Sequence, residues 1–250
     1  MLNNAKQLRI GHSFEILPTV DSSNNYAMQQ IHDGTAVHGN VYMALQQTSG
    51  KGQRNKVWHT GINNNLALSI VVQPKYLALQ HQFLLTCYVS VTLATYLQQY
   101  SSNICIKWPN DIYINNRKVA GILIENTIRG TTWNYAVIGM GVNVNEEKFS
   151  EALPNAIALN AVANTSIDIY EMAKNVVALM EQNWQTFVAN PTYYLVQYNT
   201  MLYKKNEPVK LLYNGATIST TVNSVTPNGV LHCGTANKYA FKHGEVEWVL

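Results

Sequence analysis

The chain has 250 residues, which is enough for one large domain, or for a large domain with a small appendage, because single cores grow to roughly 250 residues before they split. Hydrophobic residues make up 47% and charged residues only 12%, with a formal net charge of +3, a basic excess too small to make nucleic acid the main partner. No stretch reaches the roughly 18 apolar residues of a membrane span, Met1 to Phe14 lacks the apolar run of a signal sequence, and Cys87, Cys105 and Cys233 lack metal-type spacing, so the sequence points to the cytoplasm.

In chain order, Phe14 to Val20 reads as a strand ending in Asp21-Ser22-Ser23-Asn24, a cluster suited to cap a helix over Asn25 to Ile31. Val41 to Gln47 alternates as a second strand. Thr48 to Asn65 then carries Gly50, Gly52, Gly61 and several asparagines. It is too polar and Gly-rich to form an ordered element by itself, and a long loop within a compact domain is usually functional. Its composition predicts a lid that orders on a ligand. A strand over Leu66 to Val72 and a helix over about His81 to Gln99 follow. Ile104 to Trp108, Asp111 to Ile114 and Lys118 to Glu125 read as strands, with Asn115-Asn116 placed for a two-residue hairpin turn. Trp133 to Asn145 is a further strand and Ile167 to Asn190 is helical by periodicity. From about Asn206, short runs (Val209 to Tyr213, Thr217 to Val225, Val230 to Cys233) alternate with Asn214-Gly215 and Pro227-Asn228-Gly229, as in a small β-barrel of about 45 residues.

Three segments carry chemistry, each with a plainer alternative. In Gly50-Lys51-Gly52-Gln53-Arg54-Asn55-Lys56-Val57-Trp58, glycines beside basic side chains let backbone N–H groups approach an anion, although a solvated loop has the same composition. In Lys107-Trp108-Pro109-Asn110-Asp111, Pro109 cannot donate to a sheet ladder. The chain must bend there and present Asn110 and Asp111, and the following hairpin returns Lys118 to the same end of the sheet. The alternative is a solvated turn with surface lysines. In Gly139-Met140-Gly141-Val142-Asn143, the glycines make room for a ligand or another backbone, and Asn143 can read a planar edge such as adenine; a simple bulge would look alike.

Together and in this order, with Val20-Asp21-Ser22-Ser23-Asn24, Gln46-Gln47 and Lys118-Val119-Ala120-Gly121-Ile122-Leu123, these segments resemble the biotin protein ligase family. The resemblance covers roughly residues 10 to 250. Inside the loop the sequence departs from the family's Gly-Arg-Gly-x-x-Gly, with Lys51 for the first arginine and Asn55 for the last glycine, which trades a planar fork for a point charge at Lys51.

The resemblance implies an α+β fold: a mixed-sheet domain shared with class II aminoacyl-tRNA synthetases over 1–203, and an SH3-like barrel over 204–250. It implies a biotin pocket at Ser22, Ser23, Gln47, Gly50, Lys51, Lys118, Gly121, Leu123 and Gly139, with Ser22 and Gln47 as partners for the ureido ring. It places Gln53, Arg54, Trp58, Lys107, Asn110, Asp111 and Asn143 around ATP, with Lys118, Arg54 and Lys107 as the catalytic cations and Asp111 as a ligand for Mg²⁺. The implied reaction is formation of biotinyl-AMP and transfer of biotin to a lysine of a carboxylase's biotin carboxyl carrier domain. Lipoate or octanoate ligases share the fold, as would a non-catalytic biotin-sensing or carrier-binding module. The first strand begins by Phe14, which leaves no room for the winged helix-turn-helix of repressor relatives, so the likeness is to the ligase-only branch with no specific DNA partner. Sheet-edge homodimers occur among relatives.

Overall fold

The computed structural model describes residues 8–58, 61–130 and 132–249. The first sheet has seven strands: β1 (Ser13–Leu17), β2 (Asn40–Ala44), β3 (Leu66–Val72), β4 (Ile104–Lys107), β5 (Asp111–Ile114), β6 (Arg117–Arg129) and β7 (Thr132–Val142). They lie in the order β1-β2-β3-β7-β6-β5-β4, with β1 and β2 parallel and every other pair antiparallel. Every residue of β3 is buried, as expected of a central strand covered on both faces. One face packs on α2 (Phe83–Leu97) and α4 (Ile169–Ala189), and the other on α1 (Ser23–His32). The apolar run over α2 is therefore a buried helix. Among the described residues, no helix is long and apolar enough to cross a membrane, and all three cysteines are free thiols.

The turn residues act as the sequence predicts. Asn115 and Asn116 both have positive φ (48° and 65°) between the paired residues Ile114 and Arg117, the geometry that a two-residue hairpin requires. Asn214 and Gly215 do the same between β8 (Pro208–Tyr213) and β9 (Ala216–Val225). These strands join β10 (Leu231–Cys233), β11 (Tyr239–Phe241) and β12 (Val246–Val249) in a second, antiparallel sheet ordered β11-β10-β9-β8-β12. It is fastened to the first part by Trp108, whose indole N–H donates to Gly229 O at 3.0 Å, and by Asn199, whose amide both donates to and accepts from the Val225 backbone.

Several boundaries differ from expectation. The helix expected over His81 to Gln99 is a 3₁₀ turn (Leu79–His81) followed by α2. The periodicity over Ile167 to Asn190 does end at Asn190, but a further helix, α5 (Pro191–Thr200), starts at once: Asn190 accepts from Tyr193 N–H, and Pro191 takes the first helical position, where its missing donor costs nothing. A short helix, α3 (Leu159–Ala163), was not expected. The loop over Thr48 to Asn65 is more ordered than its composition predicts. Lys51 and Val57 form a bridge, Gly52 N–H donates to Lys56 O, Trp58 N–H donates to Gly50 O, and Gln53–Asn55 makes a 3₁₀ turn in which Arg54 has positive φ (55°). Backbone bonds within the loop thus replace the missing side-chain packing. Its residues 59–60 lie outside the described set.

Candidate active site

Cross-strand register builds the floor of the site. One row of partners runs Ser69 (β3), Gly139 (β7), Leu123 (β6), and the next runs Ala67, Gly141, Gly121, Asp111, Lys107 from β3 to β4. Side chains in such rows share a face. The second row therefore presents three small residues and then a carboxylate and an ammonium. Over the small residues lies a narrow slot lined by Ser22, Ser23, Asn24, Gln47, Lys51, Gln53, Trp58, Lys118, Gly121, Leu123, Gly139 and Gly141. Beside it opens a cleft of about 750 Å³, a size typical of ligand sites, lined by Gly50, Arg54, Lys56, Lys107, Asp111, Asn143 and, from the second sheet, His243, Gly244 and Trp248. Gln47, Gln53, Trp58, Asn110 and Lys118 border both.

The residues expected at biotin thus line the slot, apart from Gly50, which lies in the cleft wall. A Cβ at Gly50 would collide with Trp58 O and meet Gln47 Nε2 at 2.8 Å, so this glycine permits a close backbone crossing. The residues expected at ATP all line the cleft. Sequence reasoning missed Asn24 in the slot. It also missed the segment 148–156 and the β11–β12 turn in the cleft wall, since each comes from a part of the chain without a motif.

The slot's polar end is a chain of hydrogen bonds. Ser23 N–H donates to Gln47 Oε1 at 2.9 Å, fixing the glutamine at the start of α1. Ser69 Oγ lies 2.6 Å from Asn24 Oδ1 and 2.8 Å from Ser23 Oγ. A serine has one proton, and Asn24 Oδ1 can only accept, so Ser69 donates to Asn24 and Ser23 donates to Ser69. Asn24 Nδ2 in turn donates to Glu125 Oε2 at 2.8 Å. Ser22 is the N-cap of α1 but makes no side-chain capping bond, contrary to the expected cap. Its buried hydroxyl instead lines the slot.

The glycines of the third motif serve protein side chains rather than a second backbone. A Cβ at Gly139 would collide with the Asn24 amide, and one at Gly141 with the Trp58 indole; at Gly121 it would meet Trp58 Cζ3 at 3.1 Å and Lys118 Cε at 3.3 Å. Trp58 therefore lies across the floor between slot and cleft, with its buried indole N–H unpartnered. Gly141→Ala is expected to unseat it. Overpacking of this kind costs about 1–3 kcal/mol, so the KM of the slot's ligand should rise about tenfold or more, with a change in tryptophan fluorescence. The milder clash at Gly121→Ala should do less, and equal KM values for wild type and Gly141→Ala would remove the seat from the account.

Lys118 reaches its place through a β-bulge. Ile112 pairs with Ala120 but Tyr113 pairs with Lys118, so Val119 is the extra residue and Lys118 lies one position nearer Asp111 than regular pairing allows. Its ammonium is 2.7 Å from Asp111 Oδ1 and 5.5 Å from the Trp58 ring centroid. Its backbone N–H donates to Asn155 O, which ties it to the missed segment. Asn143 does not hold out its amide for an adenine edge as expected. Its Nδ2 donates to Ile157 O at 3.3 Å and Lys118 O at 3.4 Å, fixing the backbone around Lys118. Asn110 is likewise structural, donating to Ile122 O at 2.6 Å.

Lys107 donates to Tyr113 OH at 3.1 Å and packs against the Tyr113 and Trp248 rings. Burial lowers its pKa from 10.5 to about 8, against the raising pull of Asp111. Arg54 lies against Gly244 of the β11–β12 turn, its Cζ 3.4 Å from where a Cβ would stand. The nearby His243 has its pKa lowered, by burial first and then by Arg54. Asp111, expected as a magnesium ligand, is ion-paired to Lys118, and no group of three or more His, Cys, Asp or Glu gathers among the described residues. A lone carboxylate such as Asp111 suits magnesium only where a nucleotide's phosphates and water complete the coordination.

The mixed sheet that carries these two adjoining cavities has the fold of solved biotin protein ligases. The Aquifex aeolicus biotin protein ligase in complex with biotin and ATP superposes with a TM-score of 0.79 at 21% identity, over 95% of this chain and 99% of that one. The sequence pattern of the Biotin/lipoate A/B protein ligase family matches residues 16–143, and the chain belongs to that family. The bifunctional ligase/repressor BirA of Bacillus subtilis (strain 168) is 26% identical over 217 residues, covering 84% of this chain and 62% of that protein. The BirA of Escherichia coli (strain K12) is 32% identical over 161 residues, covering 62% and 48%. The chain thus spans less than two thirds of the length of these two relatives.

Proposed function

We propose that this chain joins biotin and ATP into biotinyl-AMP and transfers the biotinyl group to a lysine of a biotin carboxyl carrier domain. The observation that carries the reading is that the neutral polar slot and the cationic cleft meet at Lys118, which borders both. A head group with two N–H donors and a carbonyl suits the slot's Ser22, Ser23 and Gln47. The dithiolane of lipoate offers no such groups and so makes no use of the polar atoms of Ser22, Ser23 and Gln47, and a site that hydrogen-bonds a substrate's polar groups discriminates against an analogue lacking them.

The acyl arm then runs along Gly121 and Leu123 towards Lys118. There the carboxylate oxygen bonds to the α-phosphorus of ATP as the bond to pyrophosphate breaks. Lys118 offsets the repulsion between the two anions, and Arg54, Lys56 and Lys107 take the remaining phosphate charge. Magnesium bound to ATP would offset part of the phosphate charge there, as nucleotide sites commonly arrange, with Asp111 the carboxylate nearest to hand. In the second step an uncharged lysine amine of the carrier bonds to the acyl carbon, AMP leaves with the mixed-anhydride oxygen, and the amine loses a proton. The loop bearing Trp58 shields the anhydride from water.

The test is ATP-dependent pyrophosphate release with biotin against lipoate, followed by transfer to a carrier domain. Release with lipoate alone refutes the reading, and release with neither leaves only a binding module.

The Lys107 pKa adds a pH signature. The ammonium is charged below about pH 8 and neutral above it, so kcat/KM for ATP, which reports the free enzyme, should fall through an alkaline limb near pH 8. In Lys107→Arg the guanidinium stays charged and the limb should move to higher pH. A profile unchanged by the substitution would take Lys107 out of phosphate binding.

A further inference from the structure

Glu125 lies on β6, two residues beyond Leu123, and belongs to none of the motifs. Its carboxylate is divided between two elements far apart in sequence: Oε2 accepts from Asn24 Nδ2 at 2.8 Å and Oε1 accepts from Lys51 Nζ at 3.2 Å. Asn24 belongs to the slot wall at the start of α1, and Lys51 to the loop that crosses the slot. We propose that Glu125 is a positioning residue that sets the wall and the loop together, and that it keeps the slot's head end neutral by holding the Lys51 charge. This inference rests on the biotin reading only for the identity of the ligand.

Three features lead there. Asn24 has both ends of its amide engaged, Oδ1 by Ser69 and Nδ2 by Glu125, with a weaker approach to Leu123 O at 3.4 Å; without Glu125 the amide loses its main anchor. Gly139 has no side chain because Asn24 fills that space, so a swung amide intrudes on the slot. The loop folds through bonds within itself, from Gly52 to Lys56 and from Trp58 to Gly50, and Lys51 adds an ionic side-chain link to the sheet beside the Trp58 indole packed over Gly121 and Gly141. The ion pair is part-exposed, with side chains 42% and 27% accessible, so it holds a loop in place without deciding whether the chain folds. Charge is thereby sorted along the site. Lys51 is compensated at the head end, and the cations of the cleft stand at the other, which suits a ligand with a neutral head and an anionic tail.

The experiment compares wild type with Glu125→Gln, Lys51→Met and the double variant. Glutamine keeps an acceptor for Asn24 but loses the charge that holds Lys51. In the ligand-free chain, tryptic cleavage after Arg54 and Lys56 should rise about two- to fivefold in either single variant, the range expected of an exposed ion pair, and no further in the double. Melting temperature should stay near wild type. Glu125→Ala, which also releases Asn24, should raise the KM for biotin about tenfold with kcat little changed, since Lys118 keeps its place, and Glu125→Gln should rescue most of that loss. Unchanged cleavage in Glu125→Gln, or additive increases in the double variant, overturns the latch. An equal fall in kcat and kcat/KM overturns the positioning role. Cleavage is read without ligand, so its outcome is separate from that of the biotin reading, which fails if wild type releases no pyrophosphate with biotin.

Discussion

Replacing Lys118 by alanine is expected to slow biotin-dependent pyrophosphate release by a factor on the order of 10² or more, the usual effect of removing one preorganised donor from a developing charge. Among the described cations, Lys118 alone borders both the slot and the cleft, so under the proposed function it alone would meet the carboxylate of one substrate and the α-phosphate of the other. The bulge at Val119, the bond from its N–H to Asn155 O and the Asn143 contact with its carbonyl fix the backbone from which it reaches. Asp111, 2.7 Å away, holds the ammonium in the ligand-free state and competes with the incoming anions for it. The Asp111 side chain is already 23% accessible beside Lys118, so in Lys118→Ala water can solvate it and the fold should survive, which a melting curve checks. Lys118→Arg keeps the charge but not the compact ammonium and should recover part of the rate. A folded Lys118→Ala variant with near-native pyrophosphate release would remove Lys118 from the first step.

How much of this could be read from sequence depends on whether a residue's partner is local. Asn115-Asn116 and Asn214-Gly215 turn the chain through their own backbone preferences, and both hairpins form where the sequence places them. The apolar run at Leu66–Val72, with Ser69 its one polar side chain, is a central strand buried along its whole length. Much of the slot and cleft lining was legible because the motifs at β4–β5 and on β7 flank the Lys118–Leu123 run on β6, and the Gly50–Trp58 loop lies against the same strands. What was not legible depends on partners far away in the chain. Gly139 and Gly141 signal missing side chains, but that Asn24 and Trp58 fill the space follows only from the register of β7 against β3 and β6. Asn143 has the chemistry to read a base, yet Lys118 and the segment after Asn155 come close enough to occupy its amide. The loop's composition gave no sign of its internal bonds, because backbone groups of any residue can make them.

A second large effect concerns acid stability. His38 precedes β2, whose far end leads to Gln47, and its ring lies 5.2 Å from that of Trp184 on α4. It is 6% exposed. Its Nδ1 accepts from Gln73 N–H at 3.1 Å, so the proton of the neutral ring is on Nε2, which has no partner. A second proton would place a charge on a buried ring packed against Trp184, and burial, aided by His12 and Lys75, lowers the pKa from 6.5 to about 4. Between those values the unfolded chain binds a proton that the folded chain does not. Folding stability is therefore complete above about pH 6.5 and falls as the pH drops towards 4, by about 3 kcal/mol over the whole window. Carboxylates that protonate near the lower end add their own changes, so the comparison that isolates His38 is with His38→Asn, which keeps an acceptor near Gln73 but carries no titrating ring. Chemical denaturation at pH 7 and pH 4.5 should show wild type losing about 2–3 kcal/mol more than the variant, even though the variant starts less stable for want of the ring packed on Trp184. Equal losses in the two proteins would mean that the His38 ring gains a partner on protonation, and that the buried imidazole is not the acid-sensitive point of the fold.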